Sequence, residues 1–405
     1  MSATVPTTAF ARIGQLASQR RVHEAFGWLH LHEQQIMCWQ QELVAIAAPP
    51  FGERRRAEWL CEKFRELGLQ DVALDGIGNA VGVCRGEASS GECVLLSAHI
   101  DTVFPPDTPI EPQLNEMRLT APGACDNGAG VVALLAIAAA LRHAQIRPAC
   151  DLVFVGNVGE EGEGNLRGMR HFYEHSAWRD RVAAHVVLDG AGHEVAVTHA
   201  LGSRRYLVAI TGAGGHSWTD AGRPNPVLVM SRAIARLGDL ILPTKPRTTL
   251  NVGTIEGGTA VNAIPERVTA RFDARSTDAE QLIRLEVEIH RAVEDAVIEA
   301  NFGVKREHAL QFTIESIGDR PAGALNEHAS IFENLRAVDR HLGIRTETRI
   351  ASTDANIPLS LGVPALSLGA GGNGGGIHTR NEWYDARGRE LGLRRILLLF
   401  LACAS

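Results

Sequence analysis

The sequence has no paired cysteine motif and no excess of basic residues. Its seven cysteines include no C-x-x-C pair, so neither a disulfide framework nor a thiolate zinc site is indicated, and a reducing cytoplasm is expected. Lys and Arg total 40 against 47 for Asp and Glu, which gives a net charge of −7. This balance argues against nucleic acid as a partner, because phosphate backbones are bound by clustered basic residues.

Long apolar segments are missing as well. Residues 1–21 have no apolar core of the signal-peptide type. The longest apolar run, residues 130–141, is shorter than the roughly 20 residues that span a bilayer. We therefore expect neither secretion nor a membrane partner. The 405 residues, 45% of them hydrophobic, are enough for two or three folded domains.

Short apolar segments alternate with helical ones along the first 200 residues. Apolar residues recur at helical spacing over residues 22–46, 53–67 and 128–143. Apolar runs typical of buried strands occupy residues 79–83, 93–99, 151–157 and 184–189. This alternation predicts an α/β fold with a mixed, largely parallel central sheet flanked by helices.

The pattern changes near residue 200. Polar and apolar residues alternate, as in antiparallel strands, over residues 204–211, 247–255 and 267–275. Thr277 and Glu280 then predict a capping box before an amphipathic helix. The closing segment returns to a buried strand and a helix. We therefore predict an α+β domain at 201–318, inserted into a larger domain formed by residues 1–200 and 319–405.

Histidine and carboxylate side chains stand where the predicted strands end. They are His99, Asp101, Asp126, Glu160, Glu161, Asp189 and His378. Open α/β sheets bind ligands at the carboxyl ends of their strands, so these side chains are expected in one crevice. Each residue alone has an ordinary alternative, such as Asp126 capping the helix that follows it. Their conjunction favours a site.

Imidazole and carboxylate donors without thiolates suit Zn²⁺, with Mn²⁺ or Co²⁺ as alternatives. A central carboxylate can bridge two such ions roughly 3.5–4 Å apart, and the ions can lower the pKa of a bound water toward about 7. Because Glu160 and Glu161 are adjacent and point differently, one can bind metal while the other acts as a base. The pattern therefore predicts a hydrolase with two divalent metal ions.

A glycine-rich segment at 369–376 matches the spacing G-x-G-x-x-G and raises a dinucleotide-binding alternative. The residues that follow it are polar and do not form the apolar helix that this alternative requires. We expect its glycines, Gly375 among them, to let backbone N–H groups approach the charged end of a substrate beside His378.

Several motifs together resemble the two-zinc metallopeptidase family of the aminoacylases, carboxypeptidase G type enzymes, succinyl-diaminopimelate desuccinylase and tripeptide aminopeptidase (peptidase T). The matching strings, in family order, are LLSAHIDTV (95–103), GACDNGAGVVALL (123–135), GEEGEGNLRG (159–168), VLDG (187–190), GAGGHS (212–217), GGTAVNAIP (257–265) and GGIHTRNEWYD (375–385). The resemblance implies a zinc-exopeptidase-like fold.

The resemblance also implies roles for the metal-site residues. Asp126 would bridge the two ions, His99 and Asp189 would complete one site, and Glu161 and His378 would complete the other. Glu160 would be the general base that takes a proton from water to give a metal-bridging hydroxide and later donates that proton. Asp101 would orient the imidazole of His99, which selects its tautomer.

The inserted segment resembles the lid and dimerisation domain of the family, which implies a homodimer. His216 would help to hold the developing oxyanion, in its own subunit or in a partner. Asn262 and Arg275 match positions that hold the substrate carbonyl or carboxylate. Arg275 has an alternative on a solvated sheet face beside Arg271 and Asp273.

The resemblance implies hydrolysis of an amide bond in a small peptide or an N-substituted amino acid. An Asp at the position of Asp189 is commoner among the aminopeptidase-like members, which favours an aminopeptidase of the tripeptide type. A carboxypeptidase or an N-acyl-amino-acid deacylase is the alternative, and a non-catalytic binding protein is a remoter one. The exact substrate stays open, because one scaffold supports several amide substrates.

Overall fold

The structure, a computed structural model, describes residues 8–87 and 91–405. These residues form two compact units. Unit 1 comprises the described residues up to Ala200 together with Ala324–Ser405, and unit 2 comprises Leu201–Gly323. The second boundary lies a few residues beyond residue 318, because the last strand of unit 2 continues to Arg320.

The elements follow one another in three runs. Unit 1 begins with α1 (Ala9–Ala17), α2 (Arg20–Leu31), α3 (Glu33–Val44), α4 (Arg54–Glu66), β1 (Gln70–Leu74), β2 (Ala80–Cys84), β3 (Cys93–His99), β4 (Gln113–Asn115), β5 (Arg118–Thr120), α5 (Gly128–His143), β6 (Asp151–Asn157), α6 (Arg167–His175), β7 (Val182–Leu188) and β8 (Val195–Ala200). Unit 2 contains β9 (Gly202–Thr211), β10 (Gly215–His216), α7 (Pro226–Gly238), β11 (Thr248–Gly257), β12 (Ala263–Ile264), β13 (Arg267–Ser276), α8 (Ala279–Asn301) and β14 (Gln311–Arg320). The chain continues with β15 (Gly323–Ala324), α9 (Ser330–Leu342), β16 (Glu347–Ala351), α10 (Asn356–Ser360), β17 (Ala365–Leu368), β18 (Asn373–Gly375), β19 (Trp383–Asp385) and α11 (Arg389–Cys403).

The central sheet of unit 1 runs in the order β1–β2–β6–β3–β7–β17–β8, with β16 paired to β8. Its middle strands β6, β3, β7 and β17 are parallel. Every residue of β3 is buried, as expected when helices cover both faces of a parallel sheet. The mixed, largely parallel sheet predicted from the sequence is therefore confirmed.

Helices pack on the two faces of this sheet. On one face, Phe154 of β6 makes edge-to-face contacts with Phe64 of α4 and Phe400 of α11. On the other face, Val153 of β6 belongs to a separate buried cluster with Phe172 of α6. Alternation of side chains along one strand thus supplies both layers of the core.

The start of the chain differs from the prediction. The helical pattern over residues 22–46 suggested one helix, but the structure divides it into α2 and α3 at His32, which has a φ of −111°. The ring of His32 stacks on Trp28 at 4.5 Å, and α1 precedes both helices. Within residues 8–87 and 91–405, no helix has the length and apolar character needed to cross a membrane.

Unit 2 is an antiparallel sheet in the order β11–β13–β9–β14, with α7 and α8 packed against it. Its core includes Phe272 of β13 and Ile289 of α8, both buried. The predicted capping box at Thr277 is wrong: α8 begins after Asp278, whose Oδ1 accepts hydrogen bonds from the backbone N–H groups of Glu280 and Gln281. An Asp at this position satisfies the same orphan donors one residue later.

Candidate metal centre and active site

The carboxyl edge of the central sheet carries most of the predicted site residues. His99 ends β3, Glu160 and Glu161 follow β6, and Asp189 follows β7. Since β6, β3 and β7 are adjacent parallel strands, their carboxyl ends meet at one edge.

Asp126 and His378 reach this edge from elsewhere in unit 1. Asp126 precedes Asn127, the N-cap of α5, whose side chain donates to the carbonyl of Leu188 at 2.8 Å and accepts from the N–H of Gly190 at 3.1 Å. Asn127 therefore ties the Asp126 segment to the end of β7. His378 lies in the loop between β18 and β19, which belong to a small sheet with β5 and β4.

Asp126 lies between the two histidines. Its Oδ1 is 3.1 Å from Nε2 of His99, and its Oδ2 is 3.1 Å from Nε2 of His378. Nε2 of His378 is also 3.0 Å from Oε1 of Glu161, and Nε2 of His99 is 4.0 Å from Oδ1 of Asp189. The structure thus brings all five predicted metal ligands together.

Their donor atoms fall into two overlapping sets. His99, Asp126 and Asp189 form one, and Asp126, Glu161 and His378 form the other, with the donor atoms of each set within 4.8 Å of one another. Glu160 joins His99 and Glu161 in a third such group. Nitrogen and carboxylate donors in groups of three suit first-row divalent ions.

The electrostatics of the cluster favour bound cations. Burial, followed by the charge of Glu160, raises the pKa of Glu161 to about 8. The hydrogen bond to Asp126 is the main reason why the pKa of His378 is raised to about 9. Neighbouring carboxylates contribute to both shifts, so positive charge is stabilised at this place. The residues therefore fit two divalent metal ions.

Asp101 connects the two strand ends. It is fully buried; its Oδ1 accepts the backbone N–H of Glu160 at 3.0 Å and its Oδ2 accepts that of Glu161 at 2.8 Å. Burial raises the pKa of Asp101, but His99 and these N–H groups outweigh it and lower the pKa overall. Nδ1 of His99 lies 3.5 Å from Oδ1 of Asp101, so Nε2 is left facing Asp126.

Comparisons with known proteins identify the family. The model of "Peptidase family M20/M25/M40" matches residues 95–401, which is most of the chain. The chain belongs to this peptidase family. A probable carboxypeptidase of Aspergillus clavatus is 29% identical over 289 residues, covering 64% of this chain and 62% of that protein. This chain thus spans about three fifths of the length of that curated relative.

Two solved structures share the fold. Aminopeptidase PepT of Bacillus cereus has a TM-score of 0.75 and 21% identity, covering 92% of this chain and 99% of its own. A tripeptidase of Staphylococcus aureus has a TM-score of 0.74 and 24% identity, covering 92% of this chain and 98% of its own. The zinc-exopeptidase-like α/β fold with a separate α+β domain, predicted from the sequence, is therefore confirmed.

Sequence reasoning missed Glu382, which holds the backbone next to Asp126 in the candidate metal centre. Its side chain is fully buried. Oε1 accepts the N–H groups of Cys125 and Asp126 at 2.8 and 2.7 Å, and Oε2 accepts that of Gly123 at 3.2 Å. Glu382 lies inside the string GGIHTRNEWYD, in which only Gly375 and His378 have a predicted role, because an acceptor of backbone N–H groups has no spacing signature.

Two further buried residues were missed. Arg56 of α4 donates to the carbonyl oxygens of Ile46 and Ile100; burial lowers its pKa to about 10, while Asp101 and Glu382 act against that shift. Asp354 accepts a hydrogen bond from Nδ2 of Asn157 at 2.7 Å. Burial and then the charge of Glu160 raise the pKa of Asp354. Both residues lie in the electrostatic surroundings of the site.

The predicted residues of unit 2 lie on its surface or pair within its sheet. His216 is exposed, and its Nδ1 accepts the backbone N–H groups of Trp218 and Thr219 at 3.1 and 3.4 Å. Asn262 is exposed, and its backbone carbonyl accepts a hydrogen bond from the N–H of Ser217 at 2.9 Å. Nε of Arg275 donates to Oδ2 of Asp273 at 2.7 Å.

Gly375 lies in β18, opposite Trp383 of β19. A Cβ at this position would approach the Trp383 ring to 2.9 Å, so the close packing of the ring accounts for a glycine here. The segment 369–376 contains β18, and a turn rather than a helix follows it. The helix that a dinucleotide site needs is therefore not formed by this segment.

Proposed function

We propose that the protein is a metal-dependent hydrolase that cleaves an amide bond of small peptides as an aminopeptidase of the tripeptide type. The observation that carries this proposal is the carboxylate of Asp126, 3.1 Å from Nε2 of both His99 and His378. A carboxylate shared by two histidine-containing donor sets is the arrangement expected of a bridging ligand.

The two donor sets define which residues would hold the ions. His99, Asp126 and Asp189 would hold one, and Asp126, Glu161 and His378 the other. Zn²⁺ is our first choice, with Mn²⁺ and Co²⁺ as alternatives. When bound, such ions act as Lewis acids toward a carbonyl oxygen and lower the pKa of water.

Glu160 would be the general base. Its side chain is buried beside Glu161, and its backbone N–H is held by Asp101. A carboxylate oxygen of Glu160 would accept a proton from the attacking water and return it to the nitrogen of the leaving amine. Because Asp101 holds both neighbouring N–H groups, it would keep Glu160 and Glu161 in their separate roles.

Unit 2 would act as the lid, and His216 would donate a hydrogen bond from it to the substrate. Nδ1 of His216 accepts two backbone N–H groups, so in the neutral ring the proton lies on Nε2. An Nε2–H group can donate to the substrate oxygen as negative charge develops on it. Asn262 and Arg275 would hold the substrate carbonyl or carboxylate, and the family resemblance favours a homodimer through this unit.

A second candidate function is carboxypeptidase or N-acyl-amino-acid deacylase. The relative of Aspergillus clavatus named as a probable carboxypeptidase supports it, and the metal ligands would be the same. Asp189, in contrast, favours the aminopeptidase type. Substrates that differ only at their termini separate the two.

The test combines metal content with matched substrates. Purified protein is assayed for metal per chain and then given Leu-Gly-Gly, N-acetyl-Leu-Gly-Gly, Leu-Gly-Gly-amide and N-acetyl-leucine. An aminopeptidase releases leucine from Leu-Gly-Gly and requires the free amine, so the N-acetylated tripeptide stays intact. Release of the C-terminal glycine from both Leu-Gly-Gly and N-acetyl-Leu-Gly-Gly supports the carboxypeptidase, and cleavage of N-acetyl-leucine alone supports the deacylase. Two ions per chain without any hydrolysis would favour the non-catalytic binding protein.

A further inference from the structure

Glu382 links two parts of the candidate metal centre that are far apart in the sequence. Its two carboxylate oxygens accept hydrogen bonds from three backbone N–H groups of the segment 123–126. Its own carbonyl accepts the N–H of Ala121 at 3.0 Å. Side chain and backbone of Glu382 therefore both hold the chain that leads into Asp126.

The same residue closes the loop that carries His378. The N–H of Thr379 donates to the carbonyl of Gly376, and the N–H of Glu382 donates to the carbonyl of Thr379. The loop is anchored on one side by β18 and on the other by β19, which pair with each other. His378 and Glu382 thus belong to one hydrogen-bonded turn structure.

We infer that Glu382 is a positioning residue that locks the His378 loop to the Asp126 segment, so that both histidine-containing donor sets are preformed. Asp126 is common to both sets, and Glu382 acts on the backbone of Asp126 itself. Its loss should therefore weaken the binding of both ions. This inference rests on the metal-binding part of the proposed function and is independent of the substrate.

The contacts account for the size of the expected effect. Without Glu382, the N–H groups of Gly123, Cys125 and Asp126 lose their acceptor, and a buried unsatisfied donor is unfavourable. The segment would shift to find new acceptors and take the carboxylate of Asp126 with it. Removing a partner that orients a ligand typically costs 10–100-fold in metal affinity.

Four variants separate positioning from mere structural support. Glu382→Ala removes all three acceptor contacts. Glu382→Gln retains one oxygen that can accept from Cys125 and Asp126 but loses the contact with Gly123. His378→Ala removes a ligand of one donor set only. Asp339→Asn is the control, because Asp339 is also a buried carboxylate of unit 1, paired with Arg395 at 2.6 Å.

The measurement is Zn²⁺ binding to the metal-free full-length protein in competition with a chelator, without substrate. We expect two ions for the wild type, an affinity at least tenfold lower for both ions in Glu382→Ala, and an intermediate loss in Glu382→Gln. His378→Ala should lose mainly one ion. Asp339→Asn should unfold at a lower temperature but bind both ions with wild-type affinity.

Two results would overturn the inference. One is wild-type affinity for both ions in folded Glu382→Ala or, if that variant does not fold, in Glu382→Gln. The other is a loss restricted to the ion that His378→Ala loses, since Glu382 would then act through His378 alone. A wild type that binds two ions but hydrolyses no peptide contradicts the proposed hydrolase and leaves the role of Glu382 intact.

Discussion

Unit 1 and unit 2 differ in the surroundings of the predicted site residues that each contains. In unit 1 the donor atoms of each candidate metal-binding set lie within 4.8 Å of one another, and Asp101 and Glu382 accept hydrogen bonds from the backbone of segments that carry them. In unit 2, His216 and Asn262 are exposed, and Arg275 pairs with Asp273 in its own sheet. The candidate metal ligands thus all lie within unit 1, whereas the candidate substrate contacts of unit 2 lie on its surface or within its sheet.

The contrast has a topological cause. Parallel strands β6, β3 and β7 bring their carboxyl ends to one edge, so residues far apart in sequence meet there. Antiparallel strands such as β9 and β13 place successive ends on opposite edges. Metal binding and substrate turnover should therefore respond differently to mutations in the two units.

The largest expected effect lies in unit 1. Glu160→Gln retains the shape of the side chain but removes its ability to accept a proton, so kcat should fall by about 10²–10⁴-fold while two ions stay bound. The measurement is steady-state hydrolysis of Leu-Gly-Gly together with metal content. Glu163→Gln is the matched control, because Glu163 is an exposed residue of the same segment and should retain wild-type activity. Unchanged turnover in Glu160→Gln would contradict the assignment of the base.

A smaller effect is expected from unit 2. His216→Ala removes the Nε2–H donor, so kcat should fall by about 10²–10³-fold, as for other oxyanion donors. Metal affinity should stay unchanged, because His216 belongs to neither donor set. His290→Ala, which alters another exposed histidine of unit 2, should behave as the wild type. Loss of metal in His216→Ala would break the division of roles between the units.

Much of this contrast could be predicted from the sequence, because β3 and β6 are largely apolar runs: β3 ends at His99, and Glu160 and Glu161 follow shortly after β6. The helix α5 was predicted with its observed bounds for the same reason, as its apolar character is nearly uninterrupted. Glu382 could not be found in this way. Its partners lie 256–259 residues earlier, and they are backbone N–H groups, which every residue but proline carries.

The smallest effect concerns stability, and it again separates the units. His185 is fully buried in β7, with Nε2 2.8 Å from Oγ of Ser97 and Nδ1 3.0 Å from the hydroxyl of Tyr173. Burial lowers its pKa to about 3. Between this value and the ordinary pKa of about 6.5, the imidazole is protonated in the unfolded chain but neutral in the folded protein. The free energy of unfolding therefore falls as the pH falls through this range. In unit 2, among the described residues, the histidines are exposed or half-buried.

The difference in unfolding free energy between wild type and His185→Gln isolates this contribution from that of the metal ligands. On going from pH 7 to lower pH, the wild type should lose more unfolding free energy than His185→Gln does. The extra loss should be about 1.4 kcal/mol for each pH unit below 6.5, which gives about 2 kcal/mol at pH 5. Urea unfolding of both proteins at pH 7, 6 and 5 measures it. A pH-independent difference would mean that His185 is protonated inside the fold. At pH 5, hydrogen exchange in β3 and β7 should increase more in the wild type than in His185→Gln. Exchange in β9 and β13 should be the same in both proteins, because the buried neutral imidazole of His185 lies in unit 1.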